Sequence, residues 1–245
     1  LKLELFLTPK DFTPEQIKGK AAVVIDVLRA STTIITAFQN QCRQIIPVAE
    51  VEAARNLIAL QSKTTTLLCG ERHGRKIEGF HLGNSPLEYT LENVRNKTLI
   101  FTSTNGSRLL TKTQPATVSM VASFVNVSKI VEFLLKIDAD VAILCAGSYD
   151  KFSFEDTVCA GMIAAKLFKV LTKKLEFSDL ELAAMLLSQK FENDIVKMLR
   201  LSRHGRYLIS IGFMKDLVAC ANVDSIDLVP VFYKGVIALP KSDYL

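Results

Sequence analysis

The stretch Ala21–Thr33, AAVVIDVLRASTT, decides the fold. Its first part, Ala21–Val27, is an apolar, β-branched run broken by a single charge at Asp26, the pattern of a strand buried on both faces. Leu28–Ser31 is a short polar turn, and the segment from about Thr32 to Gln39 reads as the helix that follows. A strand covered on both faces and followed at once by a helix opens a βαβ unit. Asp26 stands at the end of that strand, where a carboxylate is costly to bury without a cation or hydrogen-bond donors. Arg29 brings a forked donor, and Ser31 and Thr32 lie at a helix start, whose free N–H groups attract anions. A plain Asp–Arg ion pair with a Ser/Thr cap competes for the same residues.

The same grammar repeats outward along the chain. Strands are expected at Gln44–Val48, Thr65–Cys69, Thr98–Thr102, Ala116–Val121 and Val141–Cys145, with an alternating strand pattern at Leu1–Leu7. Helices are expected at about Glu50–Gln61, Asn126–Ile137 and Glu155–Leu171. The fold class is therefore α/β, with a largely parallel or mixed sheet and helices on both faces. From Ser178 the pattern turns helical, through Gln189, Asn193–Leu201 and Met214–Ala221, before short strands at Leu228–Phe232 and Gly235–Leu239. No Pro/Gly/Ser linker interrupts the chain. The organisation expected is an N-terminal α/β part, 1–120, and a C-terminal α/β part, 121–245, helix-rich after 178.

Composition narrows the function classes. With 49% hydrophobic residues among 245, and only 11 Gly and 7 Pro, disordered and collagen-like chains are excluded. No apolar stretch approaches the ~20 residues of a membrane span, so no membrane partner is expected. The net charge of +5 suits an anionic substrate, and no basic run interleaved with aromatics argues for nucleic acid. The five cysteines are odd in number and lack CxxC spacing, which predicts buried free thiols and a cytoplasmic location. A homo-oligomer is compatible with this surface.

Three further loops carry polar clusters at strand ends, where ligands of open α/β sheets collect. Gly70–Pro86 (GERHGRKIEGFHLGNSP) holds Glu71, Arg72, His73, His81, Asn84 and Ser85. Thr104-Asn105-Gly106-Ser107 is a tight turn rich in hydroxyls before a helix. Glu155 and Asp156 open a helix after Val141–Cys145. Carboxylates, Arg and hydroxyl-rich helix starts on one sheet edge make a metal-assisted site for a small polyanion, with phosphate the commonest such group. The chain has no GxGxxG, GxxxxGK[ST] or GxSxG pattern, which disfavours dinucleotide, P-loop and serine-hydrolase readings.

Read in order, DVLRASTT from Asp26, GER from Gly70, GF from Gly79, GNSP from Gly83, TNG from Thr104, CAG from Cys145 and Glu155-Asp156…Ala160-Gly161 resemble the 2-phosphosulfolactate phosphatases of sulfolactate and coenzyme M biosynthesis. Gly205-Arg206, Leu208, Gly212, Asp216 and Val229-Pro230 extend the resemblance to nearly the whole chain. It implies a Mg²⁺-dependent phosphatase that cleaves 2-phospho-3-sulfolactate to 3-sulfolactate and phosphate. It also implies a family-specific α/β fold with the site in a cleft between two parts of the chain. On this reading Asp26, Arg29, Glu71 and Arg72 are catalytic. Ser31, Thr32, Asn84, Ser85, Thr104, Asn105, Gly106 and Arg206 bind substrate, and Asp26, Glu71, Glu155 and Asp156 are the metal set. Neither His73 nor His81 is given an essential role. The rival readings are a non-catalytic binding protein for anionic metabolites and a phosphatase for a different small phospho-acid.

Overall fold

The computed structural model describes residues 1–62, 64–171 and 175–240. Strand β1 is Leu3–Phe6, and strand β2, Ala21–Ile25, leads into helix α1, Ala30–Gln39. Then come β3 (Gln44–Pro47), α2 (Val51–Ala59), β4 (Thr66–Arg72), β5 (Arg75–Lys76) and α3 (Leu91–Val94). Strand β6 (Thr98–Thr102) feeds α4 (Gly106–Lys112), β7 (Val118–Ala122) feeds α5 (Val127–Leu134), and β8 (Val141–Cys145) feeds α6 (Phe154–Leu171). Four helices follow: α7 (Asp179–Phe191), α8 (Ile195–Leu201), α9 (Arg203–Ser210) and α10 (Met214–Cys220). The hairpin β9 (Val231–Tyr233) and β10 (Val236–Ala238) completes the sheet.

All ten strands belong to one sheet, in the order β1-β8-β2-β7-β9-β10-β3-β6-β4-β5. Strands β1, β8, β2 and β7 pair in parallel, as do β3, β6 and β4. The two parallel groups are joined by the antiparallel β9–β10 hairpin. The mixed α/β sheet read from the sequence is the one observed. Strand β7 runs across residues 120 and 121 and pairs with β2 along Ala21–Ile25.

Strand β2 shows why the apolar run forms what it does. All five of its residues are buried. Ala21, Val23 and Ile25 pack on one face with Ile143, Val158 and Ile163, while Ala22 and Val24 pack on the other with Ile34, Ile35 and Phe38. The side-chain period of two thus feeds two cores, one on each side of the sheet. Truncating Ile25 to Ala would cost ~2–5 kcal/mol, because the vacated space could not close.

Two details differ from the sequence pattern. Helix α1 begins at Ala30 rather than near Thr32, and a helix, α9, occupies Arg203–Ser210, where the pattern predicts none. Gly205 sits in its first turn because a Cβ there would lie 1.8 Å from the Leu199 carbonyl oxygen. Ser202 caps the turn by accepting the Gly205 N–H at 2.9 Å. The close α8–α9 corner is thus built on a residue that weakens the helix signal.

Candidate active site

A cavity of about 250 Å³ lies where the ends of β2, β4 and β6 meet the first turn of α9. Strands β2 and β6 are separated in the sheet by four others, so a flat sheet would hold them about 24 Å apart. Twisting of the sheet and the loop after β6 bring the two ends together. Gly106, at the start of α4, lies so near Asp26 that a Cβ on it would be 2.7 Å from Asp26 Oδ2. Any side chain there would displace the Asp26 carboxylate and crowd Ala30 Cβ.

Asp26 lines the cavity at 8% exposure. Its carboxyl group is pushed up from 3.8 to about 7, first by burial and then by the negative charges of Glu71 and Glu155. Backbone N–H groups of Ala30 and Gly106 hydrogen-bond the carboxylate and oppose that rise. The Asp26 N–H donates to Ser31 Oγ at 2.9 Å, and the Ser31 N–H to the Asp26 carbonyl at 2.9 Å. The loop is therefore wrapped on itself to hold one carboxylate at the strand end.

Glu71 lines the same cavity from the end of β4. Its Oε1 accepts the N–H and hydroxyl of Thr104 at 2.8 and 2.9 Å, and its Oε2 accepts the Gly74 N–H at 2.8 Å. One buried carboxylate thereby ties the β4–β5 turn to the loop after β6. Thr104 and Asn105 complete that wall. Arg72, the next residue, points elsewhere: its guanidinium donates to the carbonyls of Glu71 and Ala49 and to Thr102 Oγ1. Neighbouring residues of a strand face opposite sides, which places Glu71 in the cavity and Arg72 behind it.

Arg29 reaches the cavity but is heavily committed. At 2% exposure it bonds Asp216 Oδ2 through Nη1 at 2.6 Å and the Gly74 carbonyl through Nη2 at 2.5 Å. Its guanidinium also lies 4.3 Å above the Phe213 ring. Ser85 donates to the other Asp216 oxygen at 2.8 Å. The partner of Arg29 is thus Asp216, not Asp26. The Thr32 hydroxyl donates to the Val27 carbonyl at 2.9 Å and meets Ser123 Oγ at 2.7 Å, and the Ser31 hydroxyl faces the Val24 carbonyl. Asn84 lines the cavity, and its buried Oδ1 has no hydrogen-bond partner among the described residues. Arg206 is exposed, lies outside the lining and donates to the Leu201 carbonyl.

The carboxylates that open α6 stand behind this wall. Asp156 Oδ1 accepts the Val27 N–H at 2.9 Å and its Oδ2 the Gly147 N–H at 3.2 Å, locking α6 to the ends of β2 and β8. Burial, then Glu155 and Asp26, pushes the Asp156 carboxyl well above 3.8. Glu155 borders an adjoining recess of about 210 Å³. Asp26, Glu71, Glu155 and Asp156 therefore share one electrostatic environment, but no three His, Cys, Asp or Glu side chains among the described residues form a metal-holding group. The donors nonetheless fit Mg²⁺, which takes one or two carboxylates and fills its other positions with water and substrate phosphate. The negative charge of Glu71 and Glu155 crowding Asp26 is the imbalance that a cation would relieve.

Three lining residues escaped the sequence reading, Arg203, His204 and Tyr207 on α9; Tyr149, after β8, completes the lining. His204 hydrogen-bonds the Leu28 carbonyl and lies near Glu155 and Glu71. Burial lowers its pKa below 6.5 against the pull of both carboxylates. Tyr207 stacks on it at 6.0 Å and donates to the His73 carbonyl at 2.9 Å. Their sequence signal is Arg203-His204 directly before Gly205-Arg206. His73 lines the rim, with Nδ1 3.3 Å from the Tyr149 hydroxyl, whereas His81 spends Nδ1 on the Leu68 N–H at 2.9 Å.

Fold and cavity together define an α/β protein with a polar, carboxylate-bearing cleft at its strand ends. The family model described as 2-phosphosulpholactate phosphatase matches residues 6–235. Relatives named "Probable 2-phosphosulfolactate phosphatase" include one from Caldanaerobacter subterraneus subsp. tengcongensis, 41% identical over 96% of this chain and 97% of its own. Others are from Caldicellulosiruptor saccharolyticus, 40% identical over 97% and 99% of the two chains, and Symbiobacterium thermophilum, 39% identical over 92% and 96%. The chain belongs to the 2-phosphosulfolactate phosphatase family, a family of phosphoric monoester hydrolases.

Proposed function

We propose that this chain hydrolyses 2-phospho-3-sulfolactate to 3-sulfolactate and phosphate, with Mg²⁺, in the cytoplasm. The observation that carries the reading is the Asp26 carboxylate: buried at a strand end, crowded by Glu71 and Glu155, and open to a cavity sized for a small molecule. Such a group suits work on an anionic ester, provided that a cation offsets the charge.

Asp26 and Glu71 would hold Mg²⁺ from the cavity side, with Glu155 and Asp156 adding negative charge behind them. When bound, the ion would neutralise charge on the phosphoryl oxygens. The N–H donors of Ala30 and Gly106 hold the Asp26 carboxylate in place, and water is the nucleophile in this reading. Thr104 and Asn105 border the phosphoryl side. Arg29 acts chiefly by holding the Gly74 turn, and through Gly74 the orientation of Glu71. The reaction breaks the ester P–O bond and returns a proton to the 2-oxygen of the product.

The test is phosphate release from a panel of small phospho-acids with and without Mg²⁺. The reading expects 2-phospho-3-sulfolactate to lead the panel by kcat/KM. A different phospho-acid turned over at least about tenfold better would reassign the substrate, and saturable binding without phosphate release would return the chain to the class of binding proteins.

A further inference from the structure

Of the cavity-lining guanidinium groups, one has no partner among the described residues. Arg29 and Arg203 are the guanidinium groups in the lining. Arg29 is occupied by Asp216, the Gly74 carbonyl and the Phe213 ring. Arg203 is exposed, and among the described residues its side chain makes no hydrogen bond or ion pair. The charge of Arg29 is already offset by a buried carboxylate, so a second anionic group entering the cavity meets its free positive charge at Arg203.

The local build favours a fixed role for this residue. Arg203 is the first residue of α9, and that turn is held by the Ser202 cap on Gly205 and by the close contact of Gly205 with Leu199. Tyr207, one turn further, is anchored on the His73 carbonyl. The base of the Arg203 side chain is therefore rigid, while its guanidinium is free to meet a ligand. Arg203 borders the main cavity and also the adjoining recess lined by Ser148, Ser153 and Glu155, whereas Asp26 and Glu71 line the main cavity alone. A substrate seated with its phosphate by the carboxylates has room to extend toward Arg203. The unpartnered Oδ1 of Asn84 in the same lining is a second, independent sign that a ligand or its water completes this cavity.

We propose that Arg203 holds the sulfonate of the substrate, at the side where the cavity adjoins the recess, and so sets specificity for a phospho-acid with a distal anion. This rests on the phosphatase reading above. A planar guanidinium suits a sulfonate, which offers oxygens for paired N–H donors. In 2-phospho-3-sulfolactate the sulfonate is one bond further from the ester oxygen than the carboxylate, so it is the group that reaches the far wall.

The experiment compares 2-phospho-3-sulfolactate with 2-phospholactate, which lacks only the sulfonate, in the unmodified chain, Arg203→Gln and Arg203→Lys. Arg203→Gln is expected to lower kcat/KM on the sulfonated substrate about 10- to 100-fold, the worth of one charge-assisted bond. Its effect on 2-phospholactate should stay within about threefold, and Arg203→Lys should recover part of the loss. Equal losses on both substrates, or no loss on either, would overturn the assignment. Calorimetric binding of 3-sulfolactate against lactate gives a readout independent of turnover. If the unmodified chain hydrolyses neither ester, the phosphatase reading fails. The role of Arg203 then stands only if 3-sulfolactate binds more tightly than lactate and Arg203→Gln abolishes the difference.

Discussion

The loop between β2 and α1 and the turn that opens α9 face each other across one cavity, and they are built on opposite principles. In the first, nearly every polar group is matched: Ser31 with Asp26, Thr32 with Ser123, Arg29 with Asp216. The unresolved cost is concentrated on the Asp26 carboxyl, which burial and like charge push up to about 7. In the second, the backbone is locked by Ser202 and Gly205 while the Arg203 side chain pairs with none of the described residues. One wall thus presents a strained charge held in place, and the other a free charge on a fixed base. The contrast suggests a division of labour: chemistry at the matched wall, recognition at the open one.

The largest effect expected from breaking this contrast is at Asp26. Asp26→Asn keeps the shape and removes the charge, and kcat on 2-phospho-3-sulfolactate should fall about a thousandfold or more in steady-state phosphate release. Stability should move the other way. The folded chain keeps a proton on Asp26 that the unfolded chain has lost above about pH 4, so folding takes up a proton between about 4 and 7. Asp26 therefore lowers stability as pH rises through that window. In metal-free buffer, Asp26→Asn should melt higher than the unmodified chain at pH 8 and close to it at pH 4. A variant that melts lower at pH 8 would mean that Asp26 is a net structural support.

Next in size is Arg29. Arg29→Ala strands Asp216 as a buried, unpaired charge, with a stability loss of about 3–5 kcal/mol in denaturant unfolding. The double change Arg29→Met with Asp216→Leu should recover much of that loss, since no charge is then left unpaired. Failure to recover would show that packing on Phe213, rather than the ion pair, carries the stability.

A smaller contrast separates the histidines. His204→Gln, half-buried between the two walls near Glu155 and Glu71, should lower kcat more than about tenfold. His73→Gln, on the rim, should keep turnover within about tenfold. The smallest effect is at Arg206, whose exposed guanidinium meets only the Leu201 carbonyl: Arg206→Gln should change kcat/KM less than about threefold and stability within about 0.5 kcal/mol. A large loss there would show that α9 turns a different face to the substrate.

The first of the two walls was legible in the sequence and the second was not. A charge ending a run of AAVVI stands out, because a carboxylate at the end of a strand buried on both faces needs a cation or hydrogen-bond donors, although an Asp26–Arg29 ion pair met that need as readily in the sequence. Glu71 and Arg72 were both plausible as lone residues, and strand alternation decides between them once β4 is seen to run through both. The hydroxyls of Ser31 and Thr32 read as anion donors but turn to backbone carbonyls and Ser123, a choice made by packing against β7 that local sequence does not encode. The α9 turn was hidden by Gly205, whose place depends on a carbonyl of the preceding helix. The α/β class was legible from alternating strand and helix periods. The insertion of β9–β10 between the two parallel groups was not, because it pairs residues more than a hundred positions apart.

Chelation followed by Mg²⁺ add-back, read as phosphate release from 2-phospho-3-sulfolactate, tests most directly whether the matched wall does the chemistry. The metal-free chain should be inactive and regain turnover with Mg²⁺, while Asp26→Asn stays inactive at every Mg²⁺ concentration. Full turnover by a verified metal-free preparation, or by Asp26→Asn, would contradict the account.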